Sequence, residues 1–217
     1  MKIYKPLRTH QSDTLMKRLA CLFGMIMALV IPALAEKPQE FFSAGNPIKY
    51  CGEKYYLAWS AHPQDIYYCQ EYLPKGESLE KYNSMFTVSV IFWDREPLDA
   101  IKAKIAELEE RKKTDKITNY VLAENDGEYM LEFIVSDSSN GKLNCVEVDI
   151  HYYRQLTIQG KKASVLYFYS TRAYNDDILP FMKSIPAHRE KWYEAMVKLN
   201  ITPKFKSGGT TATERNL

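Results

Sequence analysis

The chain has 217 residues, with 29 Lys+Arg against 27 Asp+Glu and a formal net charge of +2. Apolar residues make up 46% and charged ones 26%, ordinary values that exclude a collagen-like, low-complexity or wholly disordered protein. The positive balance sits in the first 35 residues, which hold five basic side chains and one acidic; the other 182 carry 24 against 26, leaving no basic patch for nucleic acid.

In chain order, residues 1–15 are polar, lack apolar periodicity and read as a leader extension ahead of a second methionine, Met16. Residues 16–35 have the parts of a secretory signal: Lys17 and Arg18, the apolar run Leu19 to Ile31, and Ala33-Leu34-Ala35 after Pro32. At about 1.5 Å per residue this run is short for a bilayer crossing. Removal is therefore expected, with retention as an anchor the alternative, and a periplasmic or secreted protein with no stable membrane span follows. Cys21 opens the apolar run instead of following it, which speaks against lipidation. Residues 36–49, with two prolines and a glycine, predict a flexible lead-in. Residues 50–205 predict a single domain, long enough for one core. The Gly-Gly-Thr-Thr stretch in residues 206–217 predicts a disordered tail.

Within the domain, Tyr55 to Ala61 and Ile66 to Tyr72 read as a hairpin around the turn His62-Pro63-Gln64-Asp65. Leu73-Pro74-Lys75-Gly76 breaks the strand, and Glu77 to Ser84 predicts a short helix. Met85 to Trp93 is apolar at both parities, as in a central strand packed on both sides. Leu98, Ile101, Ile105 and Leu108 recur at helical spacing and predict a helix over Asp94 to Lys113. Four strands follow, Asn119–Glu124, Glu128–Ser136, Asn144–Thr157 and Lys162–Thr171. Asn125-Asp126-Gly127, Ser138-Ser139-Asn140-Gly141 and Gln159-Gly160 join them as a meander. In Asp176 to Leu199, Pro180 and Pro186 predict a short first turn and then a longer helix from about Ala187. The fold class is α+β: a single, mainly antiparallel sheet of about six to seven strands with helices packed on its faces.

No motif assigns a catalytic residue, a metal or a cofactor. His62, His151 and His188 lack zinc-ligand spacing, and there is no nucleophile elbow or glycine-rich phosphate loop. Glu147, Asp149 and His151 share strand parity and form the one row suited to acid–base chemistry or metal binding. Such a row more commonly lies on the solvated face of an antiparallel sheet. Tyr55, Tyr56, Trp59, Tyr67 and Tyr68 crowd the first hairpin, as sheet packing or as a stacking platform for a ligand. Of Cys51, Cys69 and Cys145, the first two flank that hairpin. A bridge between them would close a loop of about 19 residues, worth roughly 3 kcal/mol, while Cys145 reads as a packed thiol.

Tyr72-Leu73-Pro74-Lys75-Gly76-Glu77-Ser78-Leu79-Glu80-Lys81-Tyr82, leading into Met85-Phe86-Thr87-Val88, resembles an uncharacterised exported family of Gram-negative bacteria with a Leu-Pro-x-Gly-Glu turn, a short helix and a central strand. That family often carries Trp at the position of Tyr82. The element order is also similar to the PsbP/Mog1 class, which implies a non-enzymatic binding scaffold. The expected function is an exported interaction domain for an unknown protein or small ligand. An inhibitor or immunity-type protein, and a hydrolase working from the Glu147 row, are the alternatives.

Overall fold

Alternating apolar residues make strands here, and turn dipeptides with positive φ join them. The computed structural model describes residues 2–4 and 37–205; the expected signal at 16–35 and the expected tail at 206–217 lie outside the described residues. The strands are β1 (Lys2–Tyr4), β2 (Phe42–Ser43), β3 (Ile48–Tyr50), β4 (Glu53–Gln64), β5 (Tyr67–Leu73) and β6 (Ser84–Ile91), followed by helix α1 (Pro97–Arg111). Then come β7 (Asn119–Asn125), β8 (Glu128–Ser139), β9 (Lys142–Ile158), β10 (Lys161–Tyr174), helix α2 (Ile178–Val197) and β11 (Lys204–Phe205).

The strands β3 to β10 make one curled, wholly antiparallel sheet in the order β7-β8-β9-β10-β6-β5-β4-β3, and β1 adds to the β7 edge. The predicted meander β7 to β10 is present. Its turns use Asp126-Gly127, Asn140-Gly141 and Gln159-Gly160, with φ between 50° and 76° at each residue, the paired left-handed geometry that two-residue hairpins need. Chain reversal at Cys51-Gly52 uses the same geometry and creates β3, a strand the periodicity did not indicate.

Both faces of the sheet are covered. Ile185, Trp192 and Met196 of α2 pack with Phe86, Val88 and Ile150 on one face. Ala100, Ile101, Ile105 and Leu108 of α1 pack with Leu131 and Leu166 on the other. The dual covering explains why β6 is apolar at both parities. Buried Glu132 of β8 also tethers α2: it accepts from Arg189 Nε at 2.8 Å, from Arg189 Nη2 at 2.7 Å and from the Tyr193 hydroxyl.

Local expectations fail where tertiary contacts outweigh them. The lead-in is anchored, because Phe42 is buried, β2 pairs with β11, and Gln70 Oε1 accepts the N–H groups of Phe41 (2.7 Å) and Phe42 (3.1 Å). Glu77 to Ser84 is not helical; Ser78 and Lys81 exchange backbone hydrogen bonds in a bend. His62 to Gln64 continue β4, with a register shift between Ala61 and Gln64 that absorbs Pro63. Nor does Pro186 start a new helix: α2 runs through it as one element, and its missing donor is tolerated because the helix is fixed by packing on either side.

Beyond α1, Asp115 fastens the helix end to β8. Its carboxylate accepts from Ser136 N (2.6 Å), Ser136 Oγ (2.7 Å), Thr118 Oγ1 (2.8 Å) and Ile117 N (3.0 Å). Burial opposes ionisation, but these donors outweigh it and hold the pKa down to about 2. Asp115→Ala is expected to lower unfolding free energy by about 1–3 kcal/mol in urea titrations at neutral pH. In the parent chain this stabilisation is present above pH 4 and fades as pH falls toward about 2, because the unfolded carboxyl protonates first.

Candidate functional site

The pleat divides the aromatic hairpin between two faces. Tyr55 is buried against Phe86 and Tyr169 on the α2 face, whereas Tyr67 is buried on the α1 face beside Ser89. Tyr56 is half-buried with Lys75 Nζ 5.1 Å from its ring centroid, and Trp59 is half-buried against the α1-side cluster. Tyr55, Tyr56, Trp59, Tyr67 and Tyr68 thus do not share one surface, because a strand sends successive side chains to opposite faces, and any stacking platform can use only some of them.

Tyr68 alone of the five joins a partly open ring cluster. Its ring stacks on exposed His62 at 3.9 Å and 8°, meets Phe205 at 4.9 Å and Phe41 at 5.7 Å, and Phe92 lies 5.3 Å from Phe205. His62 Nδ1 lies 3.0 Å from the Tyr67 carbonyl. A carbonyl only accepts, so Nδ1 carries a proton and donates to it, which leaves Nε2 as the ring nitrogen free to meet a ligand. Phe41 and Phe205 come from segments that have no strand signal in the sequence, which is why this cluster was not legible there.

The Cys51–Cys69 bridge is not formed, and Cys51, Cys69 and Cys145 are all free thiols. Cys51 packs with the α2-side core and Cys69 with the α1-side core, so the sheet stands between them. Burial, followed by the Glu71 charge, pushes the Cys69 thiol up to about 12. Burial also raises Cys51 and Cys145, against the opposing charges of Lys191 and Arg172. None of the three has the low pKa of a nucleophilic thiolate.

The Glu147, Asp149, His151 row does occupy one face, but that face is covered by α1 and is not solvated. Asp149 and His151 are only 4% and 6% exposed. Register places β10 beside them: Arg172 opposite Glu147, Ser170 opposite Asp149 and Phe168 opposite His151. Arg172 forms an ion pair with Glu147, and its guanidinium lies 4.0 Å from the Tyr82 ring centroid; the Tyr82 hydroxyl donates to Glu147 Oε2 at 3.3 Å. Ser170 Oγ donates to Asp149 Oδ1, while Asp149 Oδ2 is buried without a hydrogen-bond partner among the described residues. Burial, reinforced by the Glu147 charge, holds the Asp149 carboxyl well above its usual range. Glu71, on β5 near Arg172, is raised by burial to about 7 despite that cation.

His151 stacks on Phe168 at 3.6 Å and its Nδ1 lies 3.1 Å from the Tyr153 hydroxyl. Burial, followed by repulsion from Lys104, pulls its pKa well below the usual histidine range, so the imidazole is neutral. A narrow cleft lined by Ala100, Lys104, His151 and Tyr153 leaves room for about one water molecule. Among the described residues no three His, Cys, Asp or Glu side chains converge as metal ligands. The row is thus part of a buried polar network that joins β5, β9, β10 and the Tyr82 loop. Sequence parity finds the row itself. It does not find Glu71, Tyr82, Ser170 or Arg172, whose proximity depends on which strands pair.

The Leu73-Pro74-Lys75-Gly76-Glu77 segment has a structural explanation. Gly76 has φ +89° and Glu77 N donates to Pro74 O at 3.3 Å, the glycine-requiring form of a tight turn. Glu77 then accepts from Asn83 N (3.0 Å), Asn83 Nδ2 (3.2 Å) and Ser84 N (3.3 Å), closing the loop that presents Tyr82 to Arg172. A protein-family model matches residues 42–201, from β2 to just beyond α2. The chain belongs to that family, which is uncharacterised. The matched span contains the ring cluster except Phe41 and Phe205, and the whole polar network. No curated protein matches the chain.

Proposed function

We propose that this family member is an exported, non-enzymatic interaction domain that engages a partner protein through the ring cluster around Tyr68. Export rests on the Lys17-Arg18, apolar and Ala33-Leu34-Ala35 pattern and on the resemblance to exported Gram-negative proteins. The observation that carries the binding site is the flat His62–Tyr68 stack at 3.9 Å, partly open to solvent and flanked by Phe41 and Phe92; exposed Ile66 lies two residues before Tyr68, its carbonyl accepting the Phe92 N–H at 2.8 Å. Such a surface suits an aromatic, proline or aliphatic side chain on the rings and a polar group beside His62 Nε2. An inhibitor or immunity-type protein would use the same surface. A hydrolytic site on the Glu147 row is the weaker reading, since α1 covers that row and the cleft beside His151 admits about one water.

A benzophenone-bearing phenylalanine in place of Ile66 tests this reading by photo-crosslinking in the producing cell, with the exposed α1 position Glu110 as control. A discrete adduct from position 66 alone, lost on Tyr68→Ala, is the expected result. No adduct, equal adducts from both positions, or an adduct that survives Tyr68→Ala would overturn it.

A further inference from the structure

The ring cluster around Tyr68 already holds a segment of its own chain. Between ring centroids, Phe205 of β11 lies 5.3 Å from Phe42, 4.9 Å from Tyr68 and 5.3 Å from Phe92. Its backbone runs antiparallel to β2, with Phe205 opposite Phe42 and Lys204 opposite Ser43, and its carbonyl accepts from Gln159 Nε2 at 3.4 Å. What this place takes is therefore visible: an extended segment that pairs with a strand edge and is anchored by one aromatic ring.

The receiving side is built without β11. Buried Gln70 of β5 accepts the N–H groups of Phe41 and Phe42 and donates to the Phe42 carbonyl at 3.2 Å, which fixes β2 in place and leaves Phe42 only 1% exposed. The occupant is held more lightly. The chain is anchored as far as buried Pro203, and the Ile201 carbonyl accepts from the Tyr167 hydroxyl. Beyond that point two residues pair with β2, Lys204 is exposed and Phe205 is half-buried. The family match divides the site in the same way: Phe42, Tyr68, Gln70, Phe92 and Gln159 lie inside residues 42–201, and Phe205 lies outside.

We infer that β11 stands in for a partner segment, an extended peptide that pairs with β2 and sets an aromatic side chain where Phe205 now sits. This rests on the partner-binding reading above and names the chemistry of that partner. A strand tethered in the same chain competes at an effective concentration of about millimolar, so β11 excludes weak binders. It yields to a segment that adds a longer ladder on β2 or a further contact on the His62–Tyr68 stack.

A fluorescent peptide copying residues 200–210 tests the exchange by anisotropy against the intact chain and its Phe205→Ala variant. The variant is expected to bind the peptide at least about tenfold more tightly than the parent, because the tethered competitor has lost its anchor. A peptide with alanine in place of its phenylalanine is expected not to bind. Equal affinity for parent and variant, binding of the alanine peptide, or no binding to the variant up to about millimolar peptide would overturn the inference. The photo-crosslink from position 66 reports separately on the partner. An adduct there without peptide binding leaves the partner reading in place and removes this one, whereas peptide binding without an adduct does the reverse.

Discussion

Replacing Arg172 with methionine is expected to remove about 3–5 kcal/mol of stability at neutral pH, the usual cost of leaving one member of a buried ion pair without its partner. Arg172 and Glu147 are 12% and 17% exposed at their side chains, so water screens the abandoned carboxylate poorly. The substitution also takes away the cation that opposes the raised pKa values of Glu71 and Asp149, and the guanidinium lying over Tyr82. Denaturant unfolding of Arg172→Met, Glu147→Gln and the double variant measures the effect. The double variant should recover much of the loss, since no uncompensated charge remains. If Arg172→Met alone unfolds at the parent midpoint, the polar network has no energetic importance.

Glu71→Gln is expected to make the protein more stable above neutral pH, an unusual direction for a substitution at a buried residue. Burial raises the Glu71 carboxyl from 4.5 to about 7. The folded state therefore holds its proton after the unfolded chain has released it, and stability falls as pH climbs from about 4.5 to about 7. At 1.36 kcal/mol per unit, this amounts to a loss on the order of 3 kcal/mol by pH 8. Glutamine does not ionise, so Glu71→Gln should match the parent near pH 4 and exceed it by about 2–3 kcal/mol at pH 8. Thermal or urea unfolding across that range measures the difference, and parallel pH profiles for the two proteins would refute it. His151 acts in the opposite direction. Its pKa is depressed in the folded state, so its contribution is present above the usual histidine pKa near 6.5 and is lost as pH falls below it.

Much of the architecture was legible because it is encoded by local periodicity and turn chemistry. The α1 stripe, the both-sided apolar character of β6 and the meander turns at Asp126-Gly127 and Asn140-Gly141 are interactions between near neighbours in sequence. The errors share a physical cause. Pro186 inside α2, Phe42 in the lead-in and Pro63 in β4 each violate a local preference at sites where packing or a bulge compensates.

The candidate sites divide in the same way. Parity alone grouped Glu147, Asp149 and His151, but could not tell a solvated face from one buried beneath α1. Their positions flanking the hairpin made Cys51 and Cys69 candidates for a bridge, but spacing carries no Cα separation, and the two pack in different cores. Strand parity divides the five hairpin aromatics between two faces, but it does not find the ring partners of Tyr68, Phe41 and Phe205, which lie 27 residues before it and 137 after it in the chain.

What the sequence by itself determined is therefore the α+β class, the antiparallel meander and the α1 stripe, all carried by contacts or patterns within a few residues. Only the tertiary structure decided that the acidic row lies on a covered face and is held by Arg172 and Tyr82, and that Tyr68 meets Phe41 and Phe205. Those outcomes depend on strand order, which brings together side chains such as Tyr82 and Glu147 that lie 65 residues apart, and no local preference specifies that order.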